Sequence, residues 1–222
     1  MISETTTKFL KQLTKNNNKI WLDAHRAEYL SAKNDFEKFV SQLIEGLTTI
    51  DTDLKDLEVK DCTFRLNRDI RFSKDKTPYK TNMGAHFNRG GKKSIFAGYY
   101  FHLQPGGKSF TGGGLWMPMT PELKKIRQEI DYSFKEFKNI LADKKFKAQY
   151  KMLESSSDYK LTNLPRGYEK ENDAAEFLKL KSFLATKAIP DAALSRSSLV
   201  PDILKSFEAL MPLIKFLNKA LE

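Results

Sequence analysis

The chain has 222 residues, 40% of them apolar, which is enough to bury a core and too many for a disordered segment. Lys and Arg number 38 against 28 Asp and Glu, a net charge of +10 that favours anionic partners but does not bear on the fold. Cys62 is the only cysteine, so an internal disulfide and a thiolate-built zinc site are both excluded.

Three helical patterns open the chain. Ile2, Phe9, Leu10 and Leu13 share one face of the first, which should stop in the Asn16, Asn17, Asn18 run because Asn favours turns and helix ends. Trp21, Leu22, His25 and Tyr29 form the second, and Phe36, Phe39, Val40, Leu43, Ile44 and Leu47 form the third. The period then changes to two. Phe64, Leu66, Ile70 and Phe72 predict one face of a strand, with Arg65, Asn67, Asp69 and Arg71 on the other and Arg68 out of place on the apolar face.

After a turn at Ser73 to Lys76 and the extended pair Thr77-Pro78, a second strand alternates Met83, Ala85 and Phe87 with Asn82, His86 and Asn88. A turn at Arg89 to Lys92 leads to a third strand over about 95–104, and the Pro105-Gly106-Gly107-Lys108 hairpin leads to a fourth over 109–116. Gly112-Gly113-Gly114 in that last strand suggests a bulge that turns Trp116 into the core, or a close approach by another group. From Thr120-Pro121 the helical period returns: Leu123, Ile126, Ile130, Phe134, Phe137 and Leu141 make one long stripe. Further helices are expected at about 143–153, 173–185 and 201–221. The order predicts a single α+β domain over 1–222, its central antiparallel sheet at about 60–117 flanked by helices from both ends of the chain.

The stretches FRLNRDIRFSKDKTPYKTNMGAHF, GYYFHLQPGGKSFTGGGLWMP and LKKIRQEID, preceded by NNNKIWLDAHRAEYL, run in order along nearly the whole chain. Together they resemble the family of uncharacterised conserved proteins called domain of unknown function 2461. The resemblance implies one domain and carries over no catalytic residue. Leu22 and His25 depart from the aromatic and the Asn that it implies at those positions, so His25 is not a candidate.

The residues themselves point to a site. Arg65, Asp69 and Arg71 on one strand face offer guanidinium forks to a phosphate or carboxylate, and Lys74, Lys76 and Lys80 follow on the adjoining turn. Arg68 must either be paired or, through a bulge, join them. His86 and His102 fall on polar strand faces, where with Asp69 they are candidates for proton transfer. No local ligand spacing supports a metal, and no fingerprint specifies a cofactor. Gly112 and Gly113 are candidates for backbone N–H contacts to an anion.

The expected function is binding, with or without enzymatic processing, of a small anionic or phosphorylated ligand. A nucleic-acid module using the basic sheet with Tyr79, Tyr99 and Tyr100 is the first alternative. A partner-binding protein using the last helix is the second. The absence of a signal-length apolar stretch near Met1, and of any run approaching about 20 apolar residues, predicts a soluble cytoplasmic chain with no membrane partner.

Overall fold

In the computed structural model, which describes residues 1–222, the Ser3 hydroxyl accepts a hydrogen bond from the Thr5 N–H and starts α1 (Glu4–Lys15). This helix buries Phe9, Leu10 and Leu13 and stops at Asn16, as the Asn run predicts. Asn18 caps α2 (Lys19–Ala24) by accepting from the Trp21 N–H. The second predicted helix does not continue to Tyr29. It breaks at His25, whose Nδ1–H donates to the Trp21 carbonyl at 2.8 Å while the ring stacks on Trp21, and α3 (Arg26–Ile50) starts afresh.

A 3₁₀ turn (Thr52–Leu54) and one short helix, α4 (Val59–Cys62), lead to the strands β1 (Met83–Asn88), β2 (Gly98–Leu103) and β3 (Ser109–Leu115). The helices α5 (Thr120–Tyr132), α6 (Phe134–Ala142), α7 (Lys144–Tyr150) and α8 (Ala175–Leu178) follow, then β4 (Phe183–Ile189), α9 (Asp191–Leu194) and α10 (Leu199–Lys219). The protein is therefore α+β, with ten α-helices and a fully antiparallel sheet in the order β1-β2-β3-β4.

Four further boundaries differ from the sequence pattern. No strand forms over 64–72. The third predicted strand starts at Gly98, leaving Ile95 exposed, and the long helix expected from Thr120 breaks at Ser133. The helix expected at 173–185 is a single turn, α8, followed by β4. Phe183, Ala185 and Ile189 of β4 face inward, but so does Lys187, whose ammonium reaches the Gln149 Oε1 at 2.6 Å. An amphipathic lysine at an inner position disguised the alternation of a strand.

The inner sheet face, with Ala85, Phe87, Tyr99, Phe101 and Ala185, packs under α3 and α10, and 45 buried apolar residues form one continuous core. Tyr99 is fully buried and donates its hydroxyl proton to Asp51 at 2.9 Å, while the other Asp51 oxygen accepts from the Lys215 ammonium at 2.6 Å. Gly113 lies where α10 comes closest. A Cβ there would stand 2.7 Å from a Leu210 methyl and 2.3 Å from the Gly98 carbonyl oxygen, so any side chain would push helix and strand apart. No helix is long and apolar enough to cross a membrane.

Candidate functional site

The cation-rich stretch 64–80 forms an arm, not a strand. Only Leu66 and Tyr79 are buried in it, while Phe64 is 43% and Phe72 96% exposed. Its two limbs meet through the Arg68 N–H to the Pro78 carbonyl and the Lys80 N–H to the Leu66 carbonyl, both at 2.9 Å. Asn17 clamps the arm from the helical side: its side-chain amide donates to the Tyr79 carbonyl at 2.9 Å and accepts from the Tyr79 N–H at 3.0 Å, as a neighbouring strand would. A residue read from sequence as a helix stop is thus also a tertiary contact.

Most of the candidate cations are occupied inside this arm. Arg68 donates to the Asp75 carboxylate and to the hydroxyl and carbonyl of Thr77. Its acid therefore comes from the adjoining turn and not from a packing helix. The Asp75 carboxyl is held down to about 2, chiefly by the Thr77 N–H and then by Arg68. Arg71 grips Asp69 with two parallel bonds of 2.9 and 2.7 Å, which lowers the Asp69 pKa. Lys76 donates to the Ile70 carbonyl at 3.0 Å. Lys80 lies over the Phe64 ring, where burial lowers its pKa. Arg65 and Lys74 are exposed and carry no side-chain bond. The wall of guanidiniums expected on one strand face is absent, because the backbone leaves the extended ladder and the side chains turn on one another.

The opportunity for a ligand lies on the outer face of the sheet. Register aligns His86, Tyr100, Gly112 and Thr186 in one row across the four strands, with Gly84, His102, Phe110 and Ala188 in the next. No helix covers this face in the way that α3 and α10 cover the other. A cleft of about 830 Å³ opens there, floored by Gly98, Gly113 and Gly114 and walled by Phe96, Phe110 and Trp116. The floor must stay bare: a Cβ on Gly114 would meet the Phe183 carbonyl oxygen at 1.9 Å, and its φ of 124° disfavours other residues. Trp116, expected in the core, is 68% exposed at the rim. Phe64 is the part of the arm that reaches this cleft.

Of the two candidate histidines, His102 is satisfied. Its Nε2–H donates to Gln104 Oε1 at 3.0 Å, and its Nδ1 accepts from the Tyr100 hydroxyl at 3.3 Å. It stacks on Phe110 at 4.8 Å, and burial lowers its pKa. His86 lines the cleft, has no hydrogen-bond partner on either ring nitrogen, and is held down to about 4 by burial. At neutral pH it is an unpaired neutral imidazole. Asp69 lies on the arm, paired with Arg71, so it does not join the histidines. No group of three His, Cys, Asp or Glu side chains gathers anywhere in a form able to hold a metal. Gly112 and Gly113 sit within β3, flanked on both sides by paired strands, so their backbone is part of the ladder and not an open nest.

Sequence reasoning missed the acid of the site. Glu154, in the connection after α7, donates its N–H to the Leu184 carbonyl at 2.7 Å, and its Oε1 accepts from the Thr186 hydroxyl at 2.5 Å. Its Oε2 has no protein partner, and no cation pairs with it. Two cations also line the cleft: Lys92, whose ammonium donates to the Lys60 and Thr63 carbonyls, and the exposed, unpaired Lys108. Nothing local marks Glu154, because the residue that positions it lies 32 positions away on a strand that itself reads as helix.

The family model for the conserved hypothetical proteins DUF2461 matches residues 5–216, nearly the whole chain. The protein belongs to the DUF2461 family. No curated protein and no solved structure is significantly similar to it. The DUF2461 family is one of uncharacterised conserved proteins, so the roles of Glu154, His86 and Lys108 rest on their geometry and chemistry.

Proposed function

We propose that the protein binds a small molecule bearing an anionic group in the cleft on the outer sheet face, in the cytoplasm. The observation that carries this reading is the coexistence, in one bare-floored cleft of about 830 Å³, of three uncommitted polar groups: His86, the free Glu154 oxygen and Lys108. Clefts of this size with apolar walls and few convergent polar groups suit small ligands. Lys108 supplies the contact for the anion, and the glycine floor takes the ligand's apolar body. His86, neutral above about pH 4, is the side chain placed to accept a proton from a bound molecule, the step that processing would require.

Two other readings find less support. A polynucleotide needs a track of free cations, whereas Arg68, Arg71 and Lys76 are engaged within the arm. Oligonucleotide binding is expected to be weak and to vanish at physiological salt. Docking of a partner on α10 would need a free apolar face, and α10 lays its own against the sheet.

The test is thermal unfolding of the full chain with a panel of small phosphorylated and carboxylated compounds. A true ligand at about a hundred times its Kd should raise Tm by roughly 5–10 °C. Ala188→Trp, which fills the cleft from an exposed position on β4, should abolish the shift, and Lys108→Ala should reduce it. If no compound shifts Tm, or if the shift persists in Ala188→Trp, the reading is overturned.

A further inference from the structure

The polar groups of the cleft are specific about what they lack. Glu154, which lines the cleft, is fixed along β4 by its own N–H and by Thr186, and its second carboxylate oxygen has no protein partner. A carboxylate only accepts hydrogen bonds, so its missing partner is a donor. A lysine or arginine is the usual donor to a carboxylate. Here the chain carries 38 of them and none pairs with Glu154. A cationic ligand is disfavoured as well, because Lys92 and Lys108 line the same cleft in a protein of net charge +10. The complement is a neutral N–H edge.

Shape narrows the class further. Gly98, Gly113 and Gly114 make a floor of bare backbone between the aromatic walls, a surface that a flat ring covers without losing contact. The strand register sets an approximate backbone spacing between the two ends of the cleft. Thr186, the partner of Glu154, stands opposite Gly112, four residues along β3 from Lys108. At about 3.3 Å per residue that is on the order of 13 Å, the span of a bicyclic ring plus a short acidic substituent.

We infer that the cleft takes a flat nitrogen heterocycle with adjacent ring N–H and amino donors, as on the edge of guanine or a pterin, carrying an acidic group at its far end. Glu154 accepts from the donor edge, the glycine floor carries the ring, and Lys108 meets the acid. An adenine edge places a ring acceptor beside its amino group, so against a carboxylate it offers one donor and one repulsive lone pair. The inference rests on the small-anion reading above and adds the identity of the ring edge.

The experiment is titration calorimetry of the full chain with guanosine monophosphate, pterin-6-carboxylate, adenosine monophosphate and ribose 5-phosphate. The first two separate a nucleotide from a pterin as the source of the edge. At least one of them should bind about tenfold or more tighter than adenosine monophosphate. Glu154→Gln should erase that preference: with its carbonyl oxygen turned to Thr186, the amide presents N–H groups to the donor edge. Circular dichroism and Tm of the variant guard against a folding defect, and Thr186→Val, which frees the carboxylate from its anchor, should weaken the preference without removing the acid.

Equal affinity for the guanine and adenine nucleotides, or a preference that survives in Glu154→Gln, overturns the inference. So does binding by none of the four while another acid of the panel shifts Tm in an Ala188→Trp-sensitive way, a result that leaves the small-anion reading standing. If no acid of any kind binds, both fall together.

Discussion

The arm of residues 64–80 and the outer face of the sheet hold the same kinds of side chain and treat them in opposite ways. In the arm, Arg68, Arg71 and Lys76 are each matched by an acid, hydroxyl or carbonyl a few residues away, and the whole unit is fastened to the helices through Asn17. On the sheet face, His86, Glu154 and Lys108 come from three distant segments and keep groups without protein partners. The lesson is that a dense run of charge can be a structural device whose electrostatics close on themselves. Unsatisfied polar groups gathered in a cleft are the better guide to ligands.

This contrast can be broken most decisively at Asn17. Asn17→Ala strips partners from both the N–H and the carbonyl of Tyr79, a residue only 8% exposed, and should cost about 2–4 kcal/mol, read as a fall in urea midpoint. Ligand binding in the cleft should survive. A loss of binding with no loss of stability would mean that the arm belongs to the site and not to the scaffold.

The next effect belongs to the sheet face. Burial holds His86 at about 4 when folded, against an ordinary value of 6.5, so between these values the unfolded chain binds the extra proton. Stability from this group is complete above about pH 6.5, declines as the pH falls toward 4 and levels off below, a loss of at most about 3 kcal/mol. Unfolding free energies measured between pH 7 and 4 for the wild type and His86→Gln should diverge in slope across that window. Parallel curves would show that His86 is solvated as freely as an exposed histidine.

Smaller effects separate the cations of the arm from one another. Arg68→Ala removes the pairing with Asp75 and Thr77 and should lower stability by about 1–2 kcal/mol. Arg71→Ala loses an exposed ion pair and Arg65→Ala loses none, so both should stay within about 0.5 kcal/mol of wild type in thermal melts. Equal losses in all three variants would mean that the arm is a cooperative charge cluster and not a frame stapled at one point.

The first, third and last helices and the three strands of the 83–115 region are readable because their apolar periods are clean and their stops are chemical. Asn16 ends α1, the Pro105 to Lys108 turn joins β2 to β3, and Pro121 opens α5. The arm misled because alternation of Phe64, Leu66, Ile70 and Phe72 is a statement about two faces, and only a neighbouring strand on each side turns it into sheet. Here the 64–72 limb has only two backbone bonds to the returning limb, which is itself held on its other side by the side chain of one Asn. β4 was hidden by Lys187 at an inner position and by helix-favouring Ala and Leu around it. With β4 misread, Thr186 could not be placed beside Gly112, and Glu154 had no visible reason to face a cleft. The alternation of β1 places His86 on a polar strand face; its lack of a partner is a tertiary fact that no local pattern encodes.

The position of β3 between β2 and β4 has a consequence for the birth of the molecule. When Leu115 leaves the ribosome, β3 can pair with β2 on one side, but its other edge has no partner until Phe183 and its successors are made. The intervening stretch, about 67 residues from 116 to 182, takes roughly 3–13 s at about 5–20 residues per second. Through that interval the nascent chain carries an open strand edge, the usual template for aggregation. The edge so exposed is the one bearing Gly112, Gly113 and Gly114, poor strand formers, so the run that supplies two of the glycines on the cleft floor also makes the half-made sheet a weaker template than a β-branched edge would be.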